Sequence, residues 1–275
     1  MPRFETSDGL SLHYEDEGDG LPILCLSGLT RDGRDFDYVL PHLKGNRVIR
    51  LDYRGRGQSE WAEDFNTYTL MREAQDALEL LDHLGLAQAA ILGTSRGGLI
   101  AMGLAATVKA RLLGVAINDV GPVIDPKGIE AIMTYLGKKP KAKTLAEAAA
   151  ALAYVQRDTF KDVPQSRWDQ EVAKFFVQTE EGLELSYDPK LRDAVEAAST
   201  VDVPDLWPML EALNGLPCAI IRGANSDLLS DETYTEMLRR LPRAKGTVVP
   251  NRAHVPFLDE PECVTLLQNW IGEMQ

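Results

Sequence analysis

The hydrophobic pattern of this chain switches between two periods. Apolar runs at residues 22–26, 90–92 and 112–117 are short and continuous, as in strands covered on both faces, and residues 47–51 read as a further strand. The chain opens on two short segments, residues 4–6 and 10–14, flanking the turn signal Ser7-Asp8-Gly9, which predicts a β-hairpin. A moderately amphipathic stretch through Phe36, Val39, Leu40 and Leu43 precedes the strand at 47–51. Leu70, Ala74, Ala77, Leu78, Leu81 and Leu84 then fall at helical spacing, and Gly85 stops that helix. Strands alternating with helices predict an α/β fold, a mostly parallel central sheet with helices on both faces.

The rhythm breaks between residues 121 and 214, where the pattern predicts helices and no strand. One helix, at 144–160, opens with a Thr144-x-x-Glu147 capping box. A second, at 166–178, carries Trp168, Val172, Phe175 and Phe176 on one face, and further helices are expected near 191–198 and 206–213. Alternation resumes with a strand at 217–221, a helix capped by Ser230, a strand at 246–249 and a last helix starting at Asp259 with Pro261 in its first turn. Residues 1–120 and 215–275 are therefore expected to form one α/β core, and residues 121–214 a helical insertion before the last two strands.

Composition narrows the function classes. A chain of 275 residues with 44% hydrophobic and 26% charged positions is large enough for one substantial core carrying an insertion. The formal net charge of −13 works against nucleic acid and anionic membrane surfaces as partners. The one basic cluster, Lys138-Lys139-Pro140-Lys141-Ala142-Lys143, lies beside Gly and Pro and reads as a solvated loop. Three cysteines cannot all pair; Cys25 and Cys218 sit in core strands, and no cysteine–histidine spacing suggests a metal. The polar N-terminus and the lack of any apolar run near ~18 residues lead to the expectation of a soluble, cytoplasmic protein.

Candidate chemistry centres on Gly93-Thr94-Ser95-Arg96-Gly97, which ends an apolar strand and opens an Ala-rich helix. That is a G-x-S-x-G turn in a strand–turn–helix setting, with Ser95 as the candidate nucleophile. A serine hydroxyl needs a base, and the base an orienting carboxylate. Of His13, His42, His83 and His254, only His254 follows a strand's carboxyl end, where open α/β sheets place reactive groups. Two acids follow strands directly, Asp119 and Asp227. Asp227 leaves the strand before the one carrying His254, in the chain order Ser…Asp…His, and is the first choice; Asp119 is the alternative, readable also as a cap or as an ion-pair partner of Arg96. The backbone amides of Arg96 and Leu29 are the candidate oxyanion donors.

These motifs resemble the α/β-hydrolase superfamily over nearly the full length. Asp52-Tyr53-Arg54-Gly55-Arg56-Gly57-Gln58-Ser59 is similar to that family's D-x-R-G-x-G-x-S loop, Arg222-Gly223-x-x-Ser226-Asp227 to its acid loop, and the run from Ala253 to Glu262 to its histidine loop and trailing helix. The family's usual His-Gly after the third strand is here Ser27-Gly28. The resemblance implies that the D-x-R-G loop is structural and that the insertion is a cap roofing the pocket. The expected activity is cofactor-free serine hydrolysis of a carboxylic ester or lactone of a small organic molecule. C–C bond hydrolysis, proline-type aminopeptidase activity (with Glu180, Glu181 or Asp205 gripping an amine) and a small-molecule receptor of the same fold are the alternatives. Trp168, Phe175, Phe176 and Trp207 could line the pocket, or could form the cap's own core.

Overall fold

The structure, a computed structural model, describes residues 1–200 and 204–275. The opening hairpin pairs β1 (Arg3–Glu5) antiparallel with β2 (Ser11–Glu17), Phe4 facing Leu12 across it. Then come β3 (Leu21–Leu26), β4 (Asn46–Leu51), α1 (Leu70–His83), β5 (Ala89–Thr94), α2 (Arg96–Val108) and β6 (Leu112–Asn118). The insertion holds α3 (Pro126–Tyr135), α4 (Leu145–Gln156), α5 (Gln165–Phe175), β7 (Phe176–Thr179), β8 (Gly182–Leu185), α6 (Leu191–Ala198) and α7 (Trp207–Glu211). β9 (Cys218–Gly223), α8 (Asp231–Arg240), β10 (Lys245–Val249) and α9 (Pro261–Gly272) complete the chain.

Eight strands form one sheet in the order β1-β2-β4-β3-β5-β6-β9-β10. From β4 to β10 every pair is parallel, and the hairpin supplies the antiparallel edge. Strand alternation splits the core into two layers. Leu24, Leu26, Ile91, Val115, Ile117 and Ile220 face α1, α2 and α8, whereas Ile23, Cys25, Leu92, Ala116 and Ile221 face α9 and the segment around Phe36 and Val39. From β3 the chain first adds β4 on one side and later β5 on the other. That reversal opens a crevice at the carboxyl ends of β3 and β5, where the site lies.

Several local expectations change. The stretch through Phe36 and Leu43 forms two short 3-10 turns, Gly33–Phe36 and Leu40–His42, in place of one amphipathic helix. Pro41 has no N–H to continue a helix, yet Phe36, Val39 and Leu43 still bury completely. The insertion contains an antiparallel pair, β7 with β8, which the pattern does not signal because its strands are four residues long and β7 is largely exposed. Phe176 begins β7 and so leaves the apolar face of the preceding helix. At α4, Thr144 Oγ1 accepts from the Glu147 amide at 3.2 Å, while the Glu147 carboxylate takes the Lys143 amide at 2.8 Å, one residue before the capping-box position. Leu210 of α7 and Leu213 join the sheet-facing layer beside α2, so the end of the insertion packs on the core. Among the described residues, no helix is long and apolar enough to cross a membrane.

Candidate active site

Ser95 sits between β5 and α2 with a φ of 51°, left-handed and costly for a residue with a side chain. Its surroundings enforce that geometry. The Ser95 amide donates to the Asn118 carbonyl at 2.8 Å and the Gly97 amide to the Ser27 carbonyl at 3.1 Å, tying the turn to both neighbouring strands. A Cβ at Gly97 would collide with the Leu26 carbonyl, and one at Gly93 would lie 2.5 Å from the Gly97 carbonyl carbon. Both glycines are required by close approach.

His254, in the loop after β10, places Nε2 2.9 Å from Ser95 Oγ and Nδ1 2.8 Å from Asp119 Oδ2. Asp119 follows β6 and is fully buried. Its carboxylate also accepts from the Gly223 amide at 2.7 Å and the Ser226 hydroxyl at 2.6 Å, which fix its orientation. The acid beside His254 is thus Asp119, which corrects the first choice, Asp227. Asp227 is exposed and makes no hydrogen bond to His254. The loop after β9 turns Ser226 inward instead, where its hydroxyl also accepts from the Leu228 and Leu229 amides at 3.3 and 3.1 Å, and this leaves Asp227 facing out. Of the other histidines, His13 is buried against Asp52, and His42 and His83 are exposed.

Of the two candidate oxyanion donors, Arg96 follows Ser95 in the chain and Leu29 lines the same cavity as Ser95. Leu29 lies in a turn after β3 that closes through the Arg31 amide donating to the Gly28 carbonyl at 3.2 Å and the Ser27 hydroxyl donating to the Arg31 carbonyl at 3.0 Å. Arg56, in the Asp52–Ser59 stretch, braces this turn by donating from Nε to the Leu29 carbonyl at 2.9 Å. It also donates to Glu73 at 2.7 Å, and the other Glu73 oxygen accepts from Arg96 Nε at 2.5 Å. One buried carboxylate of α1 therefore links the two segments that carry the candidate oxyanion donors, and this is where the Arg96 side chain goes.

Burial pushes the Glu73 carboxyl up, but Arg56 and Arg96 outweigh it and hold it below the ordinary 4.5. Replacing Glu73 by Gln strands two guanidinium groups and is expected to cost about 3–5 kcal/mol in urea unfolding at neutral pH. Because the folded carboxyl is the more acidic, that deficit is fully present above pH 4.5 and shrinks as pH falls through the lowered value. Unfolding curves of both proteins at pH 7 and pH 4 check the sign.

A cavity of about 140 Å³ opens over Ser95 and His254. Its apolar wall includes Ile132, Tyr135, Leu152, Phe160, Trp168, Phe175 and Phe257. Trp168 and Phe175 thus line it, whereas Phe176 and Trp207, the other two candidates, do not. Phe176 is half-buried against the apolar cluster that joins the insertion to Ala253 and Phe257 of the histidine loop, and Trp207 packs on the core under the Arg240 guanidinium at 4.2 Å. Glu180, Glu181 and Asp205 are exposed and lie outside the lining.

The lining also includes polar residues that the pattern does not signal: Arg31, Asp35, Tyr38 and Glu171. Glu171 sits on the buried side of α5 among Trp168, Val172 and Phe175, and a lone acid on an apolar face was the available signal. It accepts from Arg31 Nη2 at 2.5 Å and from Lys174 Nζ at 2.9 Å. Burial opposes its ionisation, yet these two cations pull its carboxyl down to about 2. The pair joins the insertion to the turn that carries Leu29.

The sequence profile of the alpha/beta hydrolase family matches residues 23–264. This chain belongs to that family. An alpha/beta hydrolase from Novosphingobium aromaticivorans superposes with a TM-score of 0.92 at 36% identity, covering 100% of this chain and 98% of that one. The 3-hydroxybutyrate-oligomer hydrolase of Cupriavidus necator is 37% identical over 253 residues, 89% of this chain and 86% of the relative. An esterase from Thermogutta terrifontis shares the fold at a TM-score of 0.78 and 22% identity, covering 100% and 99% of the two chains. As an α/β-hydrolase, the chain sets its elbow and histidine loop on one cavity, with the strand-end acid buried behind the histidine.

Proposed function

We propose that this chain is a serine hydrolase that cleaves a carboxylic ester of a small organic acid through an acyl-enzyme on Ser95. The observation that carries the reading is the unbroken hydrogen-bond chain from Ser95 Oγ through His254 to Asp119, at 2.9 and 2.8 Å, opening on a cavity. Ser95 Oγ attacks the ester carbonyl while His254 Nε2 takes its proton. Asp119 holds the Nδ1–H and stabilises the imidazolium that forms. The Leu29 and Arg96 amides receive the oxyanion. Collapse expels the alcohol, which leaves with the proton from His254. Water, activated by the same imidazole, then releases the acid. Nucleophile, base and orienting acid are all side chains of this chain, so the scheme calls for no cofactor. A 3-hydroxybutyrate oligomer is held together by ester bonds, and the Cupriavidus necator relative's name is in line with this chemistry.

A fluorophosphonate ester tests the nucleophile directly. One equivalent is expected to add to the peptide containing Ser95, with 4-nitrophenyl butyrate turnover falling in proportion to labelling. Turnover that survives complete labelling, or labelling at another residue, overturns the assignment.

A further inference from the structure

Ser95, His254 and Asp119 are tied together by a residue that takes no part in the proton transfer. Asn118 ends β6, one position before Asp119, and is fully buried. Its backbone carbonyl accepts from the Ser95 amide at 2.8 Å. Its side-chain Nδ2 donates to the Pro256 carbonyl at 3.1 Å, two residues beyond His254, and to Thr94 Oγ1 at 3.3 Å. A carbonyl can only accept, so the bond to Pro256 fixes which way the carboxamide turns. Nucleophile, histidine loop and acid therefore meet at two consecutive residues at the end of β6.

The histidine loop has few other ties. Before it, the Asn225 amide donates to the Arg252 carbonyl at 2.8 Å, and after it the Phe257 amide donates to the Glu260 carboxylate at 3.1 Å. From Ala253 to Pro256 the Asn118 contact is the only hydrogen bond that the loop backbone makes among the described residues. The imidazole is gripped at both ring nitrogens, but its contact with Ser95 cannot last through the scheme above. Once Oγ carries the acyl group, Nε2 must serve first the leaving alcohol and then water. Through those steps the ring is held by Asp119 and, through the loop backbone, by Asn118.

Stability does not account for this asparagine. The residues before it in β6, Leu112–Ile117, carry no polar side chain. Asn118 Oδ1 is sealed from solvent with no partner among the described residues. An unpaired buried acceptor costs at least as much as one ordinary hydrogen bond returns, so an apolar side chain of the same shape would serve the strand as well. We infer that Asn118 is a positioning residue for His254, holding the histidine loop at Pro256 so that Nε2 stays in line with the reacting oxygen while its partner changes. This deepens the serine-hydrolase reading and rests on it.

The test is a double-mutant cycle on Asn118→Leu and His254→Ala. Leucine keeps the branched shape, removes the donor together with the unpaired acceptor, and leaves the backbone carbonyl on the Ser95 amide. The single variant Asn118→Leu is expected to melt within a few degrees of wild type. Its kcat for 4-nitrophenyl butyrate should fall by about 10- to 100-fold, the scale of a base misplaced by about 1 Å. Fluorophosphonate labelling of Ser95, which needs the same base, should slow by a matching factor. In the His254→Ala background, whose residual rate comes from the oxyanion donors and binding, the same substitution should change kcat by less than about twofold. Rates are taken per folded enzyme, from the amplitude of the unfolding transition. Asn118→Ala lacks the donor without adding bulk and should give the same cycle. An unchanged kcat in both Asn118 variants, or an equal loss in the two backgrounds, overturns the role; equal losses would place the effect in the elbow. Failure of the ester-hydrolase reading looks different and overturns both: the wild-type enzyme turns over no ester and the fluorophosphonate leaves Ser95 unmodified.

Discussion

Ser95→Ala is expected to lower kcat for 4-nitrophenyl butyrate by about 10⁶-fold, as loss of an activated serine does elsewhere. The alanine removes one oxygen, whose hydrogen bond is to His254 Nε2. What positions residue 95 is backbone: its amide on the Asn118 carbonyl, and glycines at 93 and 97 where side chains would collide. Alanine tolerates the φ of 51° about as poorly as serine does, so the melting temperature should move by only a few degrees. The Leu29 and Arg96 amides stay in place, and a non-hydrolysable ester analogue should bind the variant with nearly unchanged affinity. That separation of turnover from binding also decides between an enzyme and a receptor of the same fold. A receptor would show wild-type turnover below about 10⁻² per second on every ester, against the 1–10³ per second usual for enzymes, and the substitution would change nothing.

The parts of this fold that are legible in the sequence are those set by local physics. The buried strands at 22–26 and 112–117 and the helix stopped by Gly85 follow from periodicity and backbone permissiveness, and they fall within a residue or two of the observed β3, β6 and α1. The elbow is equally local, because Gly93 and Gly97 answer to contacts within a few residues of the turn and to one neighbouring strand. What depends on long-range placement is not written that way. Glu73 lies in the first turn of α1, where an acid suits the helix terminus, and nothing in its own neighbourhood announces that Arg56 and Arg96 converge on it. Phe176 keeps helical spacing from Val172, yet a hairpin of two four-residue strands takes it off that face. Arg31 and Glu171 stand 140 positions apart and meet only once the insertion is folded over the β3 turn. The choice of acid fails for a related reason. Asp119 and Asp227 both lie between Ser95 and His254 in the chain and both follow strands, so order and spacing cannot separate them. The orientation of one turn after β9 does.

Asp119→Asn is accordingly expected to lower kcat by about 10⁴-fold, and Asp227→Asn to leave it within about twofold. The argument for the first is one of charge and tautomer. Asp119 accepts the Nδ1–H of His254 at 2.8 Å, which leaves Nε2 as the acceptor facing Ser95 Oγ at 2.9 Å. An asparagine amide can turn its NH₂ toward Nδ1, placing the ring proton on Nε2, where it blocks proton abstraction from the serine. It also removes the negative charge that stabilises the imidazolium. The fold should survive. Asn is among the residues that best tolerate the left-handed φ of 57° at this position; with its NH₂ toward Nδ1 its carbonyl oxygen can still accept from the Gly223 amide, and the Ser226 hydroxyl then faces the NH₂ as an acceptor. Asp227 is exposed and touches neither His254 nor Ser95, so neutralising it takes nothing from the chain of hydrogen bonds. Kinetics of the two variants on one ester, with melting temperatures alongside, check the pair. A crippled Asp227→Asn beside an active Asp119→Asn would move the acid to the loop after β9. The contacts that Ser226 and Gly223 make to Asp119 would then need another purpose, although as observed they hold a buried carboxylate in line with the imidazole.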